Sequence, residues 1–119
     1  MDITVLSGSQ IPKKASGDKD IVDPYVTVQL YSASTIDLLK TEVVSNNGLN
    51  PVWDCKGSFE YIEGEVNLLV LRVLDDDHTL LAWNALPVEH LRKGYRAVTL
   101  KGPKLETLEV ASLLCLIKF

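Results

Sequence analysis

Residues 68–77 read Leu-Leu-Val-Leu-Arg-Val-Leu-Asp-Asp-Asp, a nearly unbroken apolar run that ends in three consecutive carboxylates. The run is short, rich in Val and Leu, and contains no Gly or Pro. This composition favours a strand buried in a sandwich core, although periodicity by itself does not exclude a buried helix. Asp is a poor strand former and adjacent carboxylates repel one another, so the strand should end where the aspartates begin.

The three carboxylates have two interpretations. They form either a solvated loop that blunts the edge of a sheet or part of a site for a divalent cation. Calcium takes about six to eight oxygen ligands, which one loop cannot supply, so further ligands would have to come from elsewhere in the chain. Asp23 is a candidate, because Pro24 holds it in extended backbone at the entrance of another predicted strand. By itself, Asp23 is equally explained as a turn residue.

Composition restricts the class of protein. The 119 residues suffice for one domain with a sizeable core, and we treat residues 1–119 as a single domain. The net charge of −4 argues against a nucleic-acid partner but leaves membrane binding open, because a bound cation can reverse the local sign. No basic segment followed by an apolar run, as in a signal peptide, opens the chain. Cys55 and Cys115 lie far apart without a CxxC motif, which predicts reduced thiols in a cytoplasmic protein.

Short strands separated by turn residues predict the fold. Alternation is clear in residues 25–30, where Val26, Val28 and Leu30 should face a core, and in residues 52–61, where Trp53 lies on the apolar face. Residues 88–93 could form one helical turn. The pattern predicts an all-β fold, an eight-stranded antiparallel β-sandwich. The predicted strands cover residues 3–6, 25–30, 39–44, 52–61, 68–74, 80–87, 95–100 and 111–119.

Four motifs resemble those of C2 domains. Asp23-Pro24-Tyr25-Val26-Thr27-Val28 resembles D-P-Y-V-x-V, residues 47–53 (Asn-Gly-Leu-Asn-Pro-Val-Trp) resemble N-G-x-N-P-x-W, and residues 75–77 resemble the D-x-D of the third loop. Residues 91–100 resemble the L-x-x-G-Y-R-x-V-x-L run of the C2 domain in phosphoinositide-specific phospholipase C. The motifs, in this order, cover nearly the whole chain. A catalytic barrel is not among these residues, so we expect no catalytic site here.

The resemblance implies three loops at one end of the sandwich that bind calcium and meet phospholipid headgroups. These loops would be residues 13–23, 45–51 and 75–80. The matching metal ligands are Asp23, Asn47, Asp75 and Asp77. Asp18 or Asp20 would add a ligand from the first loop. Asp76 alternates away from its neighbours and is interpreted as a solvated bystander.

The third loop departs from the family pattern. Asp77 is followed by His78 and Thr79, so the loop is shorter than usual and a later acidic residue is missing. A shorter loop supplies fewer oxygens, and we therefore expect weak or single-ion calcium binding, or none.

The sequence thus supports two non-catalytic functions. The first is a peripheral membrane module at a cytoplasmic surface, which binds anionic phospholipid with calcium as the bridging cofactor. The second is a calcium-independent module that binds protein partners or packs against the other domains of its parent enzyme. His78 and His90 lack zinc-site spacing, and the chain has no G-x-S-x-G, phosphate-loop or H-E-x-x-H motif.

Overall fold

The structure is a computed structural model that describes residues 1–12, 22–32, 36–45 and 50–119. Within these residues it contains eight strands and one short 3₁₀ turn, Val88–His90. No helix in the described part of the chain is long and apolar enough to cross a bilayer. The strands are β1 (Asp2–Ser9), β2 (Pro24–Tyr31), β3 (Ile36–Lys40), β4 (Val52–Ser58), β5 (Leu68–Asp75), β6 (Leu80–Pro87), β7 (Gly94–Lys101) and β8 (Thr107–Lys118).

The strands are antiparallel and follow the order β3-β2-β5-β6-β7-β8-β1-β4. The β6–β7 pairing consists of Trp83 opposite Lys101, so a narrow seam joins two four-stranded halves. One apolar cluster unites both halves, because side chains from each are at most 1 % exposed within it. These include Val26, Val28, Leu71 and Val73 from the first half and Ile3, Val5, Leu113, Cys115 and Ile117 from the second. The predicted eight-stranded antiparallel sandwich is confirmed.

Val26, Val28 and Leu30 are fully buried, as predicted. The alternate residue Tyr25 is also nearly buried, at 4 % exposure, and the Lys40 ammonium lies 4.9 Å from its ring centre. Trp53, predicted in the core, is half-buried. The reason is that β4 forms one edge of the sheet, where neighbours cover a side chain incompletely.

Strand register places four connections at one end of the sandwich. Pro24 at the start of β2 pairs with Asp75 at the end of β5, and Ser7 near the end of β1 pairs with Val52 at the start of β4. The β1–β2, β3–β4, β5–β6 and β7–β8 connections therefore share an end, which we call the acidic end. The remaining connections and both chain termini lie at the other end, the distal end.

The two cysteines lie on strands that flank β1, and both pair with Val5. Two strand spacings separate them by about 9–10 Å, beyond the ~7 Å that a disulfide can bridge. Both are free thiols, in agreement with the sequence-based prediction. Burial raises the pKa of the Cys115 thiol to about 12, so this group stays protonated and unreactive in the native state.

Trp53 provides a test of the packing of β4 against Gly8 of β1 and Pro24 of β2. Its Nε1–H donates to the Pro24 carbonyl at 3.1 Å, and a Cβ on Gly8 would stand 3.1 Å from its ring carbons. Full burial of such a ring makes truncation cost about 3–5 kcal/mol; for this half-buried ring we expect Trp53→Ala to cost about 2 kcal/mol. Denaturant titration measures the loss. A value below about 0.5 kcal/mol, within the range of ordinary surface substitutions, would contradict the packing.

Candidate functional site

The β5–β6 connection is a tight hairpin at the acidic end. The Asp75 N–H donates to the Thr79 carbonyl at 2.9 Å, and the His78 N–H donates to the Asp75 carbonyl at 2.8 Å. His78 has φ of +73°, a left-handed conformation that His tolerates better than most residues. A turn followed by a left-handed residue is a common way to close a three-residue hairpin loop. Asp75 therefore ends the strand, while Asp76 and Asp77 lie on the turn.

The carboxylate of Asp75 is the buried group of this end, at 2 % exposure. Its Oδ1 accepts hydrogen bonds from the backbone N–H groups of Asp23 and Asp76, both at 2.9 Å. Buried charge is tolerated when hydrogen bonds compensate it, and bonds to an ionised acceptor are stronger than neutral ones. Asp75 thereby ties the end of the first loop to the start of the third.

The backbone that carries Asp23 is held from a second side. The Pro24 carbonyl accepts hydrogen bonds from Trp53 Nε1 at 3.1 Å and from the Val44 N–H at 3.0 Å. These contacts come from β4 and from the segment that follows β3. Asp23 is therefore fixed by three separate parts of the chain, which restricts where its carboxylate can lie.

Asp23, Asp75 and Asp76 form an acidic group. Each offers a carboxylate oxygen, and the three oxygens lie within 4.8 Å of one another. Oxygens that share one Ca²⁺ at 2.3–2.6 Å can stand up to about 5 Å apart, so the spacing matches a common cation. Asp75 is buried, Asp23 is half-buried and Asp76 is exposed, so the group opens from the sheet toward solvent.

The sequence-based ligand set and this group overlap at Asp23 and Asp75. Asp76, interpreted as a bystander, contributes to the group. Asp76 was interpreted as a bystander because side chains alternate in direction along a strand. Strand β5 ends at Asp75, however, so turn geometry sets the direction of the Asp76 side chain. Asp77 is exposed, and its Oδ1 accepts a hydrogen bond from the Thr79 N–H at 3.0 Å. Asn47, like Asp18 and Asp20, lies outside the described residues.

Tyr25 and His78 brace the hairpin, a contact that the sequence pattern does not predict. The Tyr25 hydroxyl and His78 Nδ1 are 2.7 Å apart, and their rings meet edge to face with centres 6.1 Å apart. The two residues are far apart in sequence, and the contact exists because Tyr25 pairs with Leu74 in the sheet. The pair holds the left-handed His78 in place and so stabilises the turn that carries Asp76.

The two hydrogen bonds to Asp75 Oδ1 predict how substitutions at this position affect folding without divalent ions. Asp75→Ala removes the acceptor from two backbone donors and should cost about 2 kcal/mol of unfolding free energy. Asp75→Asn retains an acceptor oxygen and relieves carboxylate repulsion, so it should cost clearly less. Denaturant titrations in chelator compare the two variants. Equal losses would show that these hydrogen bonds do not support the fold.

Comparison with known proteins agrees with this architecture. The C2 domain family profile matches residues 1–100. A 1-phosphatidylinositol 4,5-bisphosphate phosphodiesterase of Dictyostelium discoideum is 34 % identical, over 98 % of this chain and 15 % of its own length. Inactive phospholipase C-like protein 2 of Mus musculus is 35 % identical, over 95 % of this chain and 10 % of its own.

A solved structure supports the fold independently. A C2 domain of plant extended synaptotagmin 1 superposes with a TM-score of 0.71 at 19 % identity, covering 99 % of this chain and 95 % of that one. The chain spans about 15 % of the length of the phosphodiesterase from Dictyostelium discoideum. The chain belongs to the C2 domain family, and it is related to the C2-containing phosphoinositide phosphodiesterases and phospholipase C-like proteins.

Proposed function

We propose that this C2 domain is a non-catalytic module that docks on anionic phospholipid through its acidic end, with one Ca²⁺ as the bridge. The observation that carries the proposal is the group of three carboxylates from Asp23, Asp75 and Asp76, whose oxygens converge within 4.8 Å. The module would act at the cytoplasmic surface of a membrane and bind it peripherally. Asn47 and Asp77 remain predicted additional ligands.

The proposed mechanism is a reversal of local charge. Without a cation, three carboxylates at one end repel the negative phosphates of an anionic bilayer. A bound divalent cation becomes the dominant local charge, and its open coordination positions accept lipid phosphate oxygens. The three carboxylates leave part of the six to eight positions of Ca²⁺ vacant, so lipid and water oxygens would complete the shell. Calcium affinity should therefore be weak without lipid and stronger with it.

The relatives support a membrane function without an active site in this domain. The Dictyostelium discoideum protein is named for its action on a phosphoinositide, and the related Mus musculus protein is named as inactive. Both contain sequence similar to this chain. A shared lipid-directed module explains why the domain occurs in an enzyme and in an inactive homologue.

One observation favours a second candidate, a calcium-independent module that packs against its parent enzyme or another protein. The β5–β6 loop is closed in three residues, and Oδ1 of Asp75 already accepts two backbone hydrogen bonds. Both features limit the oxygens available to an ion. Lipid binding and thermal unfolding, each measured with and without calcium, separate the two candidates.

Vesicle co-sedimentation tests the lipid proposal. The chain should pellet with vesicles of phosphatidylcholine and phosphatidylserine in calcium and stay in the supernatant in chelator. Asp76→Asn removes one exposed carboxylate from the group and should weaken calcium-dependent binding about tenfold. Glu60→Gln removes one exposed carboxylate outside the group and should leave binding unchanged. Binding that is equal in calcium and chelator would reject the calcium bridge in favour of a constitutive mechanism.

Thermal unfolding tests the ion alone. A ligand that binds the native state stabilises it by RT ln(1 + [L]/Kd), so a Kd near 10⁻⁴ M gives about 1.4 kcal/mol at 1 mM calcium. On a domain of this size the melting temperature should rise by several degrees. Magnesium should do less, because it requires tighter octahedral geometry. Asp75→Asn should abolish the response. An unchanged melting temperature in millimolar calcium would favour the second candidate.

A further inference from the structure

A second concave surface lies at the distal end, away from the acidic group. It is a cavity of about 730 Å³ between the β4–β5 and β6–β7 connections, and we call it the distal groove. Its apolar walls include Tyr61, Val66, Val88, Leu91 and Phe119. Val66 is 84 % exposed and Phe119 is 61 % exposed, so large apolar side chains here face water. Exposed apolar groups gathered around a cavity are typical of a binding surface.

The charged side chains that line the groove are all acidic within the described residues. The charged residues that line it are Glu63, Glu65 and Glu89, and all three are exposed. No Lys or Arg is part of its lining within the described residues. An apolar floor with an acidic rim is complementary to a ligand that is apolar at its centre and positive at its ends.

The lining of the groove also contains a buried hydrogen-bond acceptor to which no group donates within the described residues. The Asn67 side chain is about nine-tenths buried, and its Nδ2 donates to the carbonyls of Ile62 and Glu65, both at 3.1 Å. Its Oδ1 has no hydrogen-bond partner within the described part of the chain. Because Oδ1 itself is shielded from solvent, it does not point to a ligand; the two bonds donated by Nδ2 instead hold the β4–β5 connection that forms one wall of the groove.

We propose that the distal groove binds a short basic amphipathic segment of polypeptide. Its apolar side chains would occupy the space between Tyr61, Val88 and Phe119, and its Lys or Arg side chains would pair with Glu63, Glu65 and Glu89. An anionic membrane does not suit this surface, because the acidic rim repels it. The groove also lies at the end of the sandwich opposite the proposed lipid-binding loops, so both ligands could bind together.

Binding is tested with a fluorescein-labelled peptide of sequence KKLLAFLKR and the 119-residue chain. Fluorescence anisotropy should show saturable binding that weakens as salt concentration rises, because charge pairs at the rim are screened. A peptide with Glu in place of each Lys and Arg should bind at least about tenfold more weakly. In ¹⁵N NMR spectra, the peptide should shift the amides of residues 61–68 and 88–91 rather than those of residues 75–79.

Matched variants locate the site. Val66→Asn replaces an exposed valine of the groove with a neutral polar side chain, which removes an apolar contact and should reduce affinity about tenfold. Val110→Asn makes the same change at an exposed valine on β8 outside the groove, and it should leave affinity unchanged. Asp75→Asn should also leave peptide binding unchanged, so the proposed calcium site and the proposed peptide site are tested independently.

Three results would overturn the proposal. The first is an absence of saturable binding while the NMR spectrum shows a folded chain. The second is an equal effect of Val66→Asn and Val110→Asn. The third is a loss of vesicle binding in Val66→Asn, which would assign the groove to the lipid surface.

Discussion

The hydrogen bonds that Asp75 Oδ1 accepts from the N–H groups of Asp23 and Asp76 organise the acidic end of this domain. A carboxylate at 2 % exposure must be compensated, and these donors compensate it. The same contacts bring two further aspartates beside the buried one. The hydrogen bonds that compensate the buried Asp75 carboxylate therefore also assemble a group of oxygens with the spacing that a cation needs.

This arrangement also sets the limits of the site. A three-residue hairpin holds Asp76 close to Asp75, and the contact between Tyr25 and His78 keeps the turn in place. A tight turn fixes the ligands well but leaves few positions for additional oxygens. A site of this kind suits one ion shared with lipid phosphate better than an ion enclosed by protein.

The two ends of the sandwich have different surface chemistry. The acidic end concentrates carboxylates whose charge a cation can reverse, whereas the distal groove combines exposed apolar side chains with an acidic rim. A membrane at one end would leave the other end exposed to water and accessible to a protein.

The sequence predicts the structure well where a single strand carries the information. The alternation of Val26, Val28 and Leu30 identified a core face, and the Asp-Pro step placed Asp23 at the mouth of β2. Asp76, interpreted as a solvated bystander, is exposed but also stands within the acidic group, because alternation no longer applies beyond the end of β5. The contact between Tyr25 and His78 and the distal groove were not predictable, because strand pairing brings residues 25 and 78, and residues 61–68, 87–91 and 119, together from distant parts of the chain.

The most direct measurement is a calcium titration of the ¹⁵N-labelled domain followed by NMR. The amides of Asp23 and Asp76 donate to the carboxylate that would bind the ion, so both signals should move and saturate together in the submillimolar to millimolar range. The same titration of Asp75→Asn should leave both signals unchanged. If the signals of wild-type Asp23 and Asp76 do not move at several millimolar calcium, then the acidic group is not a calcium site.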